Sequence, residues 1–223
     1  MKKYLLLILI AIFIGIVIPQ KLHAVDISVG ASTWYCWWTG GSPTDEEPDP
    51  TFLYGPALSV KFNDEFNLTF VYLYGKYDMP GMDDKFKRKD SDLALNYRLN
   101  NFFKVFAGLK YLGVSTTGFD WYGVGPGLGL SAAFPVAENL FLLANVSGFH
   151  IWSTEDQEGK SKTHAKGYGI NSTLSLAYYI APASTTISLG GRYQFINSDY
   201  KDSEVETTKF YGVTLAATYT FSI

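Results

Sequence analysis

The sequence predicts an all-β fold, a ten-stranded antiparallel transmembrane up-and-down β-barrel with short periplasmic turns and long outer loops. Three observations carry that expectation: a two-residue hydrophobic period repeated along most of the chain, an alternation of short and long connections, and aromatic residues gathered beside both kinds of connection. The period is clearest at the end. Val213, Leu215, Ala217, Tyr219, Phe221 and Ile223 share one parity, and Gly212, Thr214, Ala216, Thr218, Thr220 and Ser222 share the other. Such alternation belongs to a strand with one apolar face. Its second face is small and hydroxylated, which suits a wall between lipid and a narrow polar lumen, with every backbone group paired to a neighbouring strand.

The same pattern runs through the rest of the chain. Val25, Ile27, Val29 and Ala31 lead to Tyr35 and Trp37. Phe52 to Phe62, Phe66 to Tyr74 and Leu93 to Leu99 supply the next three strands. Phe103 to Tyr111, Tyr122 to Phe134, Leu140 to Val146, Tyr168 to Ile180 and Ile187 to Phe195 supply five more, and the closing stretch is the tenth. An even number fits a bacterial single-chain barrel.

Between them, Asn63-Asp64-Glu65, Asn100-Asn101, Pro135 to Asn139 and Ala181 to Ser184 read as tight turns. Thr39 to Thr51, Asp78 to Ser91, Ser115 to Asp120, Ser153 to Lys166 and Asn197 to Thr208 read as long loops. That strict alternation is what membrane barrels show and what a soluble sandwich has no reason to show. Trp34, Tyr35, Trp37, Trp38, Trp121 and Trp152 fall beside long loops, while Phe66, Phe103, Phe134 and Phe221 fall beside short turns or the terminus. Together they predict two membrane-interface girdles.

The first 24 residues read as a secretory signal peptide. Lys2 and Lys3 precede an apolar run from Tyr4 to Ile18, and Leu22-His23-Ala24 offers a small residue at the cut. The run is short for a membrane-spanning helix. Residues 25–223 then form one barrel domain. Removing Lys2, Lys3 and Lys21 from 18 basic residues against 21 acidic leaves a formal charge of −6, which excludes nucleic acid as a partner. The single cysteine, Cys36, provides no disulfide framework.

The last strand resembles the C-terminal strand by which bacterial outer-membrane barrels are recognised for assembly, although Phe221 stands two places before the terminal Ile223. Over residues 25–223 the chain resembles the small outer-membrane barrels of the OmpA-like and OmpX-like superfamily, with ten strands in place of eight. The resemblance implies insertion in the bacterial outer membrane. Outer-membrane lipid, lipopolysaccharide and the barrel assembly machinery are its expected partners, together with an extracellular ligand on the outer loops.

On the inward parity lie Asp26, Lys61, Asp92, Asn96, Arg98, Lys104, Lys110, Asn145, Asn171, Arg192 and Gln194, five basic groups against two acidic ones. Two readings follow. A wet lumen would make a narrow, anion-leaning, porin-like channel. A lumen filled by side chains, which barrels near eight strands have, would make a polar plug. The filled barrel is the expectation, with Lys110 and Arg192 solvated by Asn96, Asn145, Asn171 and Gln194, because neither Asp26 nor Asp92 is an obvious partner for both cations.

Omptin proteases are ten-stranded barrels with Asp-Asp and His-Asp pairs above the outer rim, and Asp83-Asp84, His150 and His164 supply the residue types. The omptin barrel is taller than the strands read here, and Asp83-Asp84 sits among Lys85, Lys87, Arg88 and Lys89, the composition of a solvated tip. Outer-membrane lipid A deacylases place a His and a Ser two apart on the lipid face. Here position 152 is Trp, and Ser153 has the wrong parity. Asp45, Glu46, Glu47 and Asp49 make a stiff acidic tip with Pro43, Pro48 and Pro50, and Glu155, Asp156 and Glu158 alternate with Lys160, Lys162 and Lys166. These loops point to solvation, cation bridging to lipopolysaccharide, or adhesion. The resulting expectation is a non-enzymatic, cofactor-free outer-membrane barrel with a structural or adhesin-like role.

Overall fold

A computed structural model describes residues 25–41, 47–81, 83–200 and 205–223. The signal peptide expected at 1–24 lies outside the described residues, as do Pro43, Asp45 and Glu46 of the acidic tip. The strands are β1 (Asp26–Thr39), β2 (Thr51–Lys61), β3 (Phe66–Tyr77), β4 (Phe86–Arg98), β5 (Phe103–Thr116), β6 (Phe119–Ala137), β7 (Leu140–Gln157), β8 (Thr163–Ile180), β9 (Thr185–Tyr200) and β10 (Glu206–Ser222). Each pairs antiparallel with its neighbours in sequence, and β1 pairs with β10 from Asp26↔Ser222 to Thr39↔Lys209 to close the barrel. Closure leaves no sheet edge for lipid to strand without hydrogen bonds.

The outward face divides into two zones. Val124, Leu128, Leu130, Leu174, Leu176, Leu189, Val213 and Leu215 are exposed along the middle of the barrel. A water-facing surface with so large an apolar area would associate, so this is a lipid-facing band. The ten steps from Tyr211 to Phe221 on β10 climb roughly 24 Å at a rise of ~3.4 Å and a tilt of ~45°, which matches a band of about 25 Å. Above it the outward parity turns polar: Lys76, Lys87, Lys89, Asp120, Asp156, His164, Lys166, Asn197, Asp199 and Lys209 form a hydrophilic collar.

That collar explains where the outer loops differ from their sequence reading. β6 to β10 run 16 to 19 residues, well past what the membrane needs, because hydrogen-bonded ladders continue above the lipid after the apolar period stops. The connection expected from Ser115 to Asp120 is a two-residue turn at Thr117-Gly118, with Gly118 at φ +72°. The stretch from Ser153 to Lys166 is mostly β7 and β8, which separate only at residues 158–162. Long and short connections therefore do not alternate without interruption. The greater height also removes the ground on which a short barrel was expected.

Glycine inside the wall makes room for rings. A Cβ on Gly129 would collide with the Phe106 ring, and one on Gly169 with the Phe149 ring, so both phenylalanines lie across the lumen where a side chain would otherwise stand. The lipid band itself can be tested at Ala107, exposed on β5 midway between Phe103 and Tyr111. Ala107→Arg should cost roughly 2–4 kcal/mol if it sits at the bilayer midplane. Ser188→Arg, directed into the lumen, should cost less. Urea titration in lipid vesicles gives the order, and the reverse ranking would invert the assigned faces.

Candidate functional site: a plugged lumen beneath an outer cup

β4 carries Phe86, Arg88, Asp90, Asp92, Ala94 and Asn96 on one parity, and all six point into the barrel. Asp90 is almost completely buried and is met by three cations. Its Oδ1 takes Lys110 Nζ at 2.5 Å from β5 and Arg192 Nη2 at 3.1 Å from β9, and its Oδ2 takes Arg88 Nη2 at 3.1 Å. Asp92 Oδ2 receives Lys110 Nζ at 3.0 Å and Arg192 Nη2 at 3.2 Å. Arg88 Nη2 donates to Gln194 Oε1 at 2.5 Å, and Arg192 Nε donates to Asn171 Oδ1 at 3.0 Å. Since β4 and β9 are not neighbours, the bonds from Arg192 to Asp90 and Asp92 and from Arg88 to Gln194 run across the lumen and tie opposite walls together.

Three cations face two carboxylates, and aromatic faces take up the excess. The Arg88 guanidinium carbon stands 3.3 Å from the Phe210 ring centroid, and that of Arg192 stands 4.5 Å from Trp34. Stacking of a guanidinium on a ring, away from water, is worth about 2 kcal/mol. Trp34 lies against both guanidiniums and shares a buried cluster with Leu53, Leu73, Leu112 and Ile151, all exposed by 2% or less. Arg88, Asp90 and Lys110 are therefore buried as well as charged, while Asp92 keeps 36% of its side chain exposed. Ions in such surroundings persist only when each is paired and hydrogen-bonded.

The plug separates two chambers with no lining residue in common. The inner one, about 440 Å³, is walled by apolar side chains such as Leu93, Phe106, Leu143 and Phe149 together with Ser, Thr and Asn side chains, and Asp92, Lys110 and Arg192 face it from the plug. The outer one, a cup of about 350 Å³, lies above the band. Phe86 and Phe210 line the cup beside the plug, and Trp38, Phe119, Trp121 and Ile196 also line it. Glu155, Gln157, Tyr200 and Glu206 supply its polar edge. Tyr200 lines the cup beside Glu155 and Trp121. Burial, reinforced by the negative charges of Glu206 and Glu155, holds its hydroxyl pKa well above the usual tyrosine range. Glu206 stands above the lipid band on β10, and its carboxyl is also pushed up, by burial first and then by the neighbouring charge of Glu155.

The residues singled out in the sequence are distributed as follows. Asn96, Lys104, Lys110, Asn145, Asn171 and Arg192 line the inner chamber, and Gln194 is fully buried within the plug. Lys61 and Arg98 sit at the inner mouth, Lys61 on Asp64 at 2.8 Å and Arg98 on Asn101 at 2.6 Å. Tyr35, Trp37, Trp152 and Phe221 lie on the outward face, where Tyr35 meets Trp37 edge-on at 4.7 Å and Trp37 stacks on Tyr211 at 5.9 Å. Trp34, Trp38 and Trp121 are not in the girdle. They have the inward parity of their strands: Trp34 packs on the plug, and Trp38 and Trp121 line the cup.

Four functional residues escaped the sequence reading. The sequence reading places Arg88 in a solvated tip and Asp90 within the Asp78 to Ser91 loop, although the parity of Asp92 and Asn96 extends back through both. Lys110 and Arg192 therefore do have carboxylate partners. Glu155 and Glu206 fall in the stretches Ser153 to Lys166 and Asn197 to Thr208 read as long loops, yet both belong to strands and line the cup. The enzymatic constellations are not assembled by the residues considered for them. His150 packs edge-on against Trp152 on the outer wall, His164 bonds Thr154 on the collar, and Asp83 and Asp84 are exposed. Ser153 points inward and donates to Ala165 O at 3.4 Å.

A closed antiparallel wall with a lipid-facing band, a polar collar and a plug across its interior defines a small transmembrane β-barrel, the fold of bacterial outer-membrane proteins. Among solved structures the chain is similar to the outer membrane protease OmpT from Escherichia coli, at 12% identity and a TM-score of 0.59, with 91% of this chain and 99% of that chain covered. It is also similar to the beta domain of the Bordetella autotransporter BrkA, at 10% identity and a TM-score of 0.52, with 90% and 100% covered. At these identities the likeness is one of fold. No protein-family model matches the chain, and no curated protein sequence does.

Proposed function

We propose that this protein is a closed barrel that acts at the cell surface, through the cup and rim above its plug, and does not pass solutes. The observation that supports this reading is the cross-lumen layer of Arg88, Asp90, Lys110, Arg192 and Gln194, buried and ion-paired from β4 to β9. A conducting path would have to break several of those contacts, and a broken buried pair costs about 3–5 kcal/mol. The outer end is built for contact instead, since it carries the strands above the lipid and opens a cavity among aromatic and acidic side chains. Outer-membrane lipid around the band, and lipopolysaccharide headgroups against the lysines of the collar, are the surroundings this reading gives it.

The fold likeness to an outer membrane protease carries no activity to this chain, and the outward-facing His150 and His164 argue against hydrolysis by a histidine in the cup. Planar-bilayer recording tests the closed state. The refolded chain should add no conductance above the bare membrane, and stable single-channel steps would overturn the proposal.

A further inference from the structure

The outer cup combines two features that rarely line one cavity. Its walls are aromatic, led by Trp38, Trp121 and Phe210, and its charges are all of one sign, from Glu155 and Glu206. Among the described residues no lysine, arginine or histidine lines it. Arg88, which lies over the Phe210 ring of the cup wall, and Arg192 are engaged with Asp90 and Asp92 in the plug below. A pair of carboxylates brought together in a half-buried cavity, with no counter-charge among its described lining residues, favours a cation that arrives from outside.

The walls decide which kind of cation. A hard divalent ion takes six to eight oxygen ligands, and ring faces provide none. An organic ammonium gains from both features, because its charge is neutralised by carboxylates while its apolar body lies on ring faces that themselves attract cations. The volume of about 350 Å³ falls at the lower end of the range for small-molecule sites. Glu155, Tyr200 and Trp121 line the cup together, so one charged side of the site adjoins one aromatic wall.

We propose that the outer cup is a binding site for a small organic cation with an aromatic or apolar body, held between the Glu155 and Glu206 carboxylates and the faces of Trp38 and Trp121. The inference deepens the surface-binding reading and rests on it for the cup's access to the outside.

The mature chain, refolded in a maltoside detergent that carries no cation of its own, is titrated with benzyltrimethylammonium by calorimetry and tryptophan fluorescence. Benzyl alcohol serves as the neutral comparator. Saturable one-to-one binding of the ammonium is expected, at least tenfold tighter than the alcohol. Glu155→Gln combined with Glu206→Gln should weaken the ammonium by about tenfold or more while leaving the alcohol unchanged. Both substitutions lie above the lipid band, and heat-modifiable gel mobility confirms that the variant is folded. Absence of saturable binding, equal affinity for ammonium and alcohol, or undiminished binding to the folded double variant would each overturn the site. Binding by a chain that also conducts in planar bilayers would sustain the site while refuting the closed barrel, so the two failures are distinguishable.

Discussion

Asp90→Ala should destabilise the barrel by roughly 3–5 kcal/mol, the range for removing one partner of a buried ion pair. The side chain is small, so lost packing contributes little. What matters is that Arg88, Lys110 and Arg192 all end on its two oxygens, and alanine would leave three buried cations facing Asp92 alone. Arg88→Met is the informative contrast. It leaves Lys110 and Arg192 opposite Asp90 and Asp92, two against two, and a long apolar side chain remains over Phe210. Its loss of stability should be clearly smaller. Urea unfolding in lipid vesicles, followed by tryptophan fluorescence, measures both, and Trp34 beside the plug reports on it directly. Equal midpoints for the two variants would show that the plug is not held by charge.

Water in the lumen would soften the same result. If solvent reached Arg88, Lys110 and Arg192, each could be hydrated when Asp90 is lost, and the penalty would fall toward the ~1 kcal/mol or less of an exposed pair. The size of the Asp90→Ala effect is therefore a second measurement of closure, independent of conductance.

The architecture was legible in the sequence because lipid imposes a rule on every strand at once. Residues such as Leu93, Leu95, Ala107, Leu109, Leu174 and Leu176 must be apolar outward whatever the lumen contains, and the alternation follows. Above the lipid that rule lapses. Lys87 and Lys89 may face water while Arg88 and Asp90 face the interior, and four consecutive charged residues then look like a loop although the ladder with β5 continues from Lys87↔Ser115 to Asp90↔Leu112. Glu155 is hidden in the same way between Thr154 and Asp156.

The misplaced tryptophans have a related cause. Position along a strand fixes height, and Trp34, Trp38 and Trp121 do lie near the outer interface; parity fixes the side, and theirs is that of Ser32, Cys36 and Gly123. On β1 both parities are aromatic, with Tyr35 and Trp37 outside and Trp34 and Trp38 inside, so composition alone could not separate girdle from core. The plug depends on contacts between β4 and β9, whose residues are about a hundred positions apart. No local pattern encodes that Arg192 meets Asp90.

Deleting Tyr219 to Ile223 should prevent assembly altogether. The five residues include the pairs Asp26↔Ser222, Ile27↔Phe221, Ser28↔Thr220 and Val29↔Tyr219, and Val25 and Ile223 exchange two further backbone bonds at 3.0 Å. On the other side Thr185↔Tyr219 and the bond from Thr220 N to Ser184 O are lost. The start of β1 and the start of β9 then become open edges at the inner end of the wall, and each unpaired backbone group left in hydrocarbon costs several kcal/mol. No adjacent strand can compensate, since every other strand is already paired on both sides. The same residues form the terminal strand proposed for recognition by the barrel assembly machinery, so two experiments separate the causes. Refolding into lipid vesicles without any machinery tests closure alone, and the truncated chain should show neither heat-modifiable mobility nor protease protection there. Expression in cells tests closure and recognition together and should give unfolded periplasmic protein. Failure in cells with normal insertion into vesicles would mean that β10 matters only as a signal, and that the barrel tolerates an open inner seam.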